Sequence, residues 1–307
     1  MTKLNHFCFT STAKQVLENI DLSGKTIIVT GGASGIGLAT TKAFVQAGAA
    51  VTVATRRPDD AKVIAEEISS EGPPGTIRVS KLDLADLSSV RSFVSNWDEK
   101  LDVLVNNAGV MAMPELQRTP QGREMQFATN YLGHFALTLG LRRYLAKANG
   151  ARVVSVASVG SLFSPVLWDD PDFRFIPYDP LLAYGQSKTA CILMSVGITN
   201  KWAQDGITSN ALNTGAVATN LQKHTGGLRT PEYLRKTAEQ GASTTVLLAA
   251  SPLVSSVSGK YFDDCQEAPT ALERGNGPYV GVAPYALDED NALRLWKIAT
   301  SMLGMNS

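Results

Sequence analysis

Apolar and polar positions follow two rhythms along this chain. Short, nearly continuous apolar runs fall at residues 25–30, 50–55, 76–81, 101–105, 151–157 and 207–212. Runs of that length and composition predict buried strands. Between them, apolar residues recur at helical spacing over 35–47, 58–70, 86–98, 121–147 and 183–204, which predicts five helices. Pro58 with Asp59 and Asp60 behind it suits a helix start, because proline tolerates the first position and acids favour the positive end of the helix dipole. Strands apolar on both faces, each followed by a helix, predict a parallel sheet covered on each side. No repeat or low-complexity linker divides the chain, so the expected architecture is one doubly wound α/β domain over residues 1–307. Three stretches exceed that plan: an extension at 1–22 with a helix expected at 12–20, an insert at 161–182 rich in Pro, Phe, Trp and Asp, and the part after Gly259, which ends in an amphipathic run at 290–303.

Composition narrows the class of protein. Hydrophobic residues make up 44% of the 307 and charged residues 18%, enough apolar side chain for a substantial core. Lys plus Arg and Asp plus Glu both total 28, a balance that argues against a nucleic-acid partner or a membrane-surface role. Cys8, Cys191 and Cys265 are scattered and no His pair has ligand spacing, so neither a disulfide framework nor a metal site is expected. The first twenty residues lack the basic-then-apolar pattern of a secretion signal, and no apolar stretch reaches about 18 residues. A cytoplasmic protein without membrane insertion is the expectation.

In open α/β sheets the ligand lies beyond the carboxyl ends of the strands, and residues able to do chemistry gather after the runs above. Thr30-Gly31-Gly32-Ala33-Ser34-Gly35-Ile36-Gly37 follows the first. A strand that turns on glycines into a helix offers free N–H groups at the positive end of the helix dipole, which suits a phosphate. Gly31 would let the turn form, Gly35 would let backbone approach a pyrophosphate, and Gly37 would let helix and strand pack closely. Arg56 and Arg57 follow the second run, where an NAD site normally places a carboxylate for the ribose 2′-OH. A guanidinium there would instead hold a 2′-phosphate through charge-assisted bonds worth about 1.5–3 kcal/mol. That points to NADP(H) rather than NAD(H), with Arg56 favoured. Asp83-Leu84 follows the third run, with Asp83 suited either to the adenine amino group or to capping the next helix. Asn107-Ala108-Gly109 follows the fourth and permits close approach to a ribose. Ser158 follows the fifth, and Tyr184 and Lys188 stand four apart on an expected helix, hence on one face. A phenol of ordinary pKa about 10 exchanges protons poorly near neutrality. A neighbouring ammonium and an oxidised nicotinamide ring would both favour its ionised form.

With these pieces in order, the chain from about residue 22 to 265 resembles the short-chain dehydrogenases/reductases, whose fold is of Rossmann type. The stretch Asn130-Tyr131-Leu132-Gly133-His134-Phe135, Arg56, the long gap from Ser158 to Tyr184, and Gly259-Lys260-Tyr261-Phe262 narrow the likeness to the retinol-dehydrogenase-like and WW-domain-oxidoreductase-like branch. The resemblance implies Tyr184 as general acid and base, Ser158 bonded to the substrate oxygen, Lys188 on the nicotinamide ribose, and Asn130 holding a water of the proton relay. It also implies Gly215, Val217 and Thr219 near the carboxamide, although Thr214 stands where family members usually carry proline. His134, within a helix, reads as structural. Pairing into a homodimer or homotetramer through the helices of Asn130 and Tyr184 is a further implication.

Residues 219–240, with Gly226, Gly227 and Pro231, have the position of a substrate lid. Trp168, Phe173, Phe175 and Tyr178 would wall an apolar pocket or bury a subunit contact. The expected activity is that of a carbonyl reductase or alcohol dehydrogenase acting on a small hydrophobic substrate. Two other readings fit the residues less well. A silent NADP-binding sensor would not need all of Asn130, Ser158, Tyr184 and Lys188, and a nucleotide-sugar epimerase or dehydratase usually shows G-x-x-G-x-x-G, which Gly31–Gly37 does not match.

Overall fold

The computed structural model describes residues 6–305; residues 1–5 of the N-terminal extension lie outside it. Helix α1 (Ala13–Val16) is a single turn, closed by reciprocal bonds between Thr12 and Gln15. It is shorter than the expected helix because the chain turns left-handed at Asn19 (φ 62°).

The sheet and its covering helices follow in the order β1 (Thr26–Thr30), α2 (Gly35–Gln46), β2 (Ala50–Thr55), α3 (Pro58–Ser70), β3 (Thr76–Lys81), α4 (Leu87–Ser95) and β4 (Val103–Asn106). Next come α5 (Met125–Phe127), a π-helical segment (Ala128–Leu132), α6 (Gly133–Ala146), β5 (Arg152–Val156), α7 (Pro180–Trp202) and β6 (Thr208–Leu212). The chain closes with a two-strand ladder, β7 (Ala216–Val217) and β8 (Arg235–Lys236), then α8 (Ala238–Ala250), β9 (Tyr261–Asp263), β10 (Gln266–Glu267) and α9 (Glu289–Met302). The main sheet runs β3-β2-β1-β4-β5-β6-β9-β10. All its pairs are parallel except β9 with β10. Strand order reverses between β1 and β4, the point where a doubly wound sheet opens a crevice.

Strand alternation divides the core into two layers. On β1, Ile28 joins Leu104, Phe135, Leu193 and Leu295 under α4, α6, α7 and α9. Its neighbours Ile27 and Val29 join Phe44, Ile68 and Val246 under α2, α3 and α8. Helix α9 lays Trp296 edge-on to Phe135 (4.9 Å) and Trp202 (5.7 Å). It thereby occupies part of the α6–α7 face through which the resemblance implied subunit pairing. Among the described residues no helix is long and apolar enough to cross a membrane.

Three differences from the sequence pattern bear on the site. The helix expected from 121 begins at Met125, because Glu124 turns back on Arg118 in an isolated bridge and caps α5, accepting from Gln126 N (2.9 Å) and Phe127 N (2.6 Å). Helix α8 is an addition to the five expected. Its Ser, Thr and Gly residues give no clear apolar stripe because it is buried nearly all round. The lid assignment therefore overlaps a helix, since 238–240 form the first turn of α8.

Candidate active site

The glycine turn leaves β1 and the 107–109 turn leaves β4, so sheet order brings them side by side. Thr30 joins them: its hydroxyl accepts from Asn107 N (2.8 Å) and Ala108 N (3.0 Å), while Asn107 Nδ2 donates to Thr30 O (2.7 Å). Asn107 thus spends its side chain beneath the turn. A Cβ on Gly37 would stand 2.4 Å from Gly31 O and 2.6 Å from Asn107 Nδ2, so only glycine allows this packing. Ser34 makes no side-chain cap to α2, leaving the first-turn N–H groups to a ligand or water. Gly35 and Ile36 meet the later turn directly. Thr219 Cγ2 lies 3.0 Å from where a Cβ on Gly35 would be, and buried Val217 shares Gly241 as a close neighbour with Ile36. Gly215 (φ 76°) rests on the stem of buried Lys236.

At the adenosine end, Arg56 is exposed and makes no ion pair among the described residues, whereas Arg57 pairs with Asp60 at 3.3 Å. Asp83 is half-buried, and its Oδ1 accepts from Ala85 N (3.0 Å). It is not the cap of α4: that role belongs to Asp86, which accepts from Ser88 N. Leu84 is buried, with its carbonyl pressed against Gly133 at the start of α6.

The opposite end is built on α7 and the π-helical segment. Tyr184 and Lys188 are 5% and 4% exposed, and Lys188 Nζ sits 5.6 Å from the centre of the Tyr184 ring. Lys188 Nζ donates to Val156 O at 2.9 Å, which leaves two of its three N–H donors for other acceptors. Ser158 caps the short helix Val159–Phe163, its Oγ accepting from Gly160 N at 3.0 Å, so its own proton remains to donate. The Tyr184 ring lies 2.7 Å from where a Cβ on Gly160 would stand, and Ser158 Oγ 3.4 Å from the same point. Serine and tyrosine therefore flank one glycine.

Asn130 sits inside the π-helical segment, a distortion that often marks functional positions. Both amide hydrogens are used and one lone pair of the oxygen stays free: Oδ1 accepts from Val110 N (2.8 Å), and Nδ2 donates to Val110 O and Ser187 Oγ (both 2.9 Å). A relay water has two acceptors to choose from on Asn130, the free lone pair of Oδ1 and the main-chain carbonyl. That carbonyl already accepts from Cys191 Sγ at 3.3 Å and neighbours His134 Nδ1 at 2.8 Å.

The insert aromatics do not form one wall. Asp170 gathers the N–H groups of Arg174, Phe175 and Ile176 at 2.7–2.9 Å, and these bonds hold its carboxyl below the usual range despite the opposing effect of burial. This turns Phe173 inward onto Tyr178, ring centres 5.2 Å apart, and leaves Phe175 89% exposed. Trp168 lies under Arg294 of α9 instead. An aromatic the sequence did not single out, Phe163, is closer to the chemistry. It packs on Gly185, next to Tyr184, and carries Tyr279 edge-on at 5.1 Å and the Arg274 guanidinium at 5.9 Å. Its only sequence signal was a place five residues after Ser158.

Comparisons with known proteins agree with this architecture. Residues 25–227 match the short chain dehydrogenase family. The chain is 48% identical over 298 residues to a Streptomyces lividans protein named "Probable oxidoreductase", covering 92% of this chain and 99% of that one. It is 35% identical to retinol dehydrogenase 13 of Mus musculus, covering 92% and 85%. A crystal structure of an uncharacterized protein from Mycobacterium paratuberculosis superposes with a TM-score of 0.76 at 30% identity, covering 97% and 98%. The chain belongs to the short-chain dehydrogenase/reductase family, in its retinol-dehydrogenase-like branch. It has the family's Rossmann-like fold and is an oxidoreductase of a family that binds a nicotinamide cofactor.

Proposed function

We propose that this chain is an NADP(H)-dependent oxidoreductase that interconverts a hydrophobic alcohol and its ketone or aldehyde. The observation that carries the reading is the convergence of Ser158, Tyr184 and Lys188 at one end of a crevice whose other end is an uncapped glycine turn. When bound, the cofactor supplies or accepts the hydride. The turn at Gly31–Gly37 would hold its pyrophosphate, with Gly109 and Lys188 toward the nicotinamide ribose and Gly215, Val217 and Thr219 toward the carboxamide. Exposed, unpaired Arg56 favours a 2′-phosphate, and Arg57, held by Asp60, is the weaker candidate. Asp83 and Leu84 would flank the adenine.

At the reacting carbon, the Ser158 hydroxyl orients the substrate oxygen by donating to it. Tyr184 gives its phenolic proton to that oxygen in reduction and takes it back in oxidation. Lys188 stands beside the phenol ring, with two N–H donors left for the nicotinamide ribose. The Phe163–Tyr279 pair packed beside Tyr184 supports an apolar substrate, with 219–237 as the movable cover. The test is a screen of hydrophobic ketones, aldehydes and alcohols with NADPH or NADP⁺, followed at the nicotinamide absorbance. Turnover of at least one such pair by the wild type, lowered by about 10²–10⁴-fold in Tyr184→Phe, is the expected result. A chain that binds NADPH tightly and turns over nothing in the screen would instead be a cofactor-binding sensor.

A further inference from the structure

His134 is a chemically capable side chain that the mechanism above does not use. It is 1% exposed, and both ring nitrogens have partners: Nε2 lies 2.9 Å from Thr30 Oγ1, and Nδ1 lies 2.8 Å from Asn130 O. The Thr30 hydroxyl decides which nitrogen carries the proton. It already accepts two N–H bonds, from Asn107 and Ala108, so both lone pairs are filled and it has one proton to give. The nearer of its two acceptors is His134 Nε2; Val105 O is 3.3 Å away. Nε2 is then the bare nitrogen, and Nδ1–H donates to the Asn130 carbonyl. Burial holds the ring far below the ordinary imidazole range, at about 4, in keeping with a neutral ring that needs one donor and one acceptor.

The consequence lies in what the two partners grip. Thr30 holds the 107–110 turn at Asn107 and Ala108, and the Asn130 amide holds it at Val110 N and Val110 O. Gly109 stands between the grips, where a Cβ would lie 3.1 Å from Asn130 Oδ1 and 3.6 Å from Lys188 Nζ. The imidazole is the strut between the two holders. We propose that His134 is a positioning residue: as the Nδ1–H tautomer it couples the glycine-turn strand to the Asn130 segment, and so sets the ribose-facing turn at Gly109 against Lys188. This deepens the oxidoreductase reading and rests on it for the identity of the ligand. The coupling itself is a property of the chain.

Three substitutions separate the two bonds. His134→Gln can place a carbonyl oxygen near the Nε2 position and keep an acceptor for Thr30. His134→Asn can keep a donor for Asn130 O, and His134→Leu keeps neither. Each is assayed for NADPH dissociation constant by fluorescence titration and for kcat on a carbonyl substrate found by the screen. A misplaced turn should weaken NADPH about tenfold and lower kcat about tenfold in His134→Leu. His134→Gln should recover NADPH affinity while kcat stays low, and His134→Asn should do the reverse. Equal behaviour of all three, whether unchanged binding and kcat or losses matched only by a fall in melting temperature, overturns the proposal. Should His134→Leu not fold, Thr30→Val serves in its place and must reproduce the weakened NADPH binding. Nitrogen-15 NMR of the three histidines (His6, His134, His224) gives a reading independent of turnover. One ring should show protonated Nδ1 and bare Nε2 down to about pH 5, and an Nε2–H pattern for His134 would overturn the assignment. Retained turnover in Tyr184→Phe would defeat the acid–base reading alone and leave the binding and NMR results standing.

Discussion

The two walls of the candidate site are built in opposite ways. On the α5–α7 side, the polar groups nearest the site are buried and bonded: Asn130 has three side-chain bonds and His134 two, while buried Glu124 and Gln126 have bonds of their own, to Phe127 N and to Ala112 N among others. On the opposite rim, Tyr233 is 80% exposed, Leu272 is fully exposed, and Gly226, Gly227, Gly275 and Gly277 all adopt positive φ with open space around them. Saturated buried networks hold a geometry, because every displacement breaks a bond that water cannot replace. Loops with few buried contacts open at low free-energy cost. On the proposed function, the difference assigns proton transfer to rigid helices and substrate fit to loops that can rearrange around a ligand.

The largest expected effect falls on the rigid wall. Tyr184→Phe should lower turnover by about 10²–10⁴-fold, the usual range for a lost proton-transfer group. NADPH titration of the same variant should be unchanged, which localises the loss to chemistry. At the adenosine end, Arg56→Ala should weaken NADPH roughly ten- to hundredfold and leave NADH nearly as it was. Equal losses for both cofactors would remove Arg56 from the phosphate site.

A third effect is a pH dependence built into the rigid wall. Burial pushes the Glu124 carboxyl up to about 7. The folded chain then keeps a proton there that the unfolded chain releases above about 4.5, so this group's stabilising contribution is lost as pH rises toward 7. His134 has the opposite sign. Held at about 4 when folded, it contributes stability that is present above about 6.5 and lost as pH falls. The two slopes oppose each other between about 4.5 and 6.5. Glu124→Gln removes one of them, so the variant's stability should rise more steeply with pH, by about 1.4 kcal/mol per pH unit. Urea midpoints at pH 5 and 6.5 measure that slope; parallel lines for variant and wild type would show that Glu124 does not hold its proton. The smallest effect belongs to the loose wall: deuterium uptake over residues 219–237 should fall when NADPH and substrate are both bound. Uptake that stays the same would make this stretch a passive loop.

Much of this was legible before any coordinates. Strand and helix positions follow from apolar periodicity, a local property, and all six expected strands occur with bounds shifted by at most two residues. The spacing of Tyr184 and Lys188 on one helix is equally local. The glycine turn could be read because Gly31 and Gly37 must sit where a Cβ would strike backbone or Asn107. Other features have no local signature. Asp83 could be read as cap or ligand, and only the observed bond from Ser88 N to Asp86 removed the first option. The insert aromatics read alike as a string, yet three N–H bonds to Asp170 turned one inward and another into solvent.

The chain's own residue order settles that it folds as alternating strands and helices, that a glycine turn follows the first strand, and that a tyrosine and lysine share a helix face. Proximity in space settles the rest. Thr30 meets Asn107 across 77 residues because sheet order sets β1 beside β4, and His134 meets Thr30 across 104 residues because α6 packs over that junction. Such contacts arise from burying two apolar layers around one sheet, a sum over many distant side chains that no short window of sequence contains.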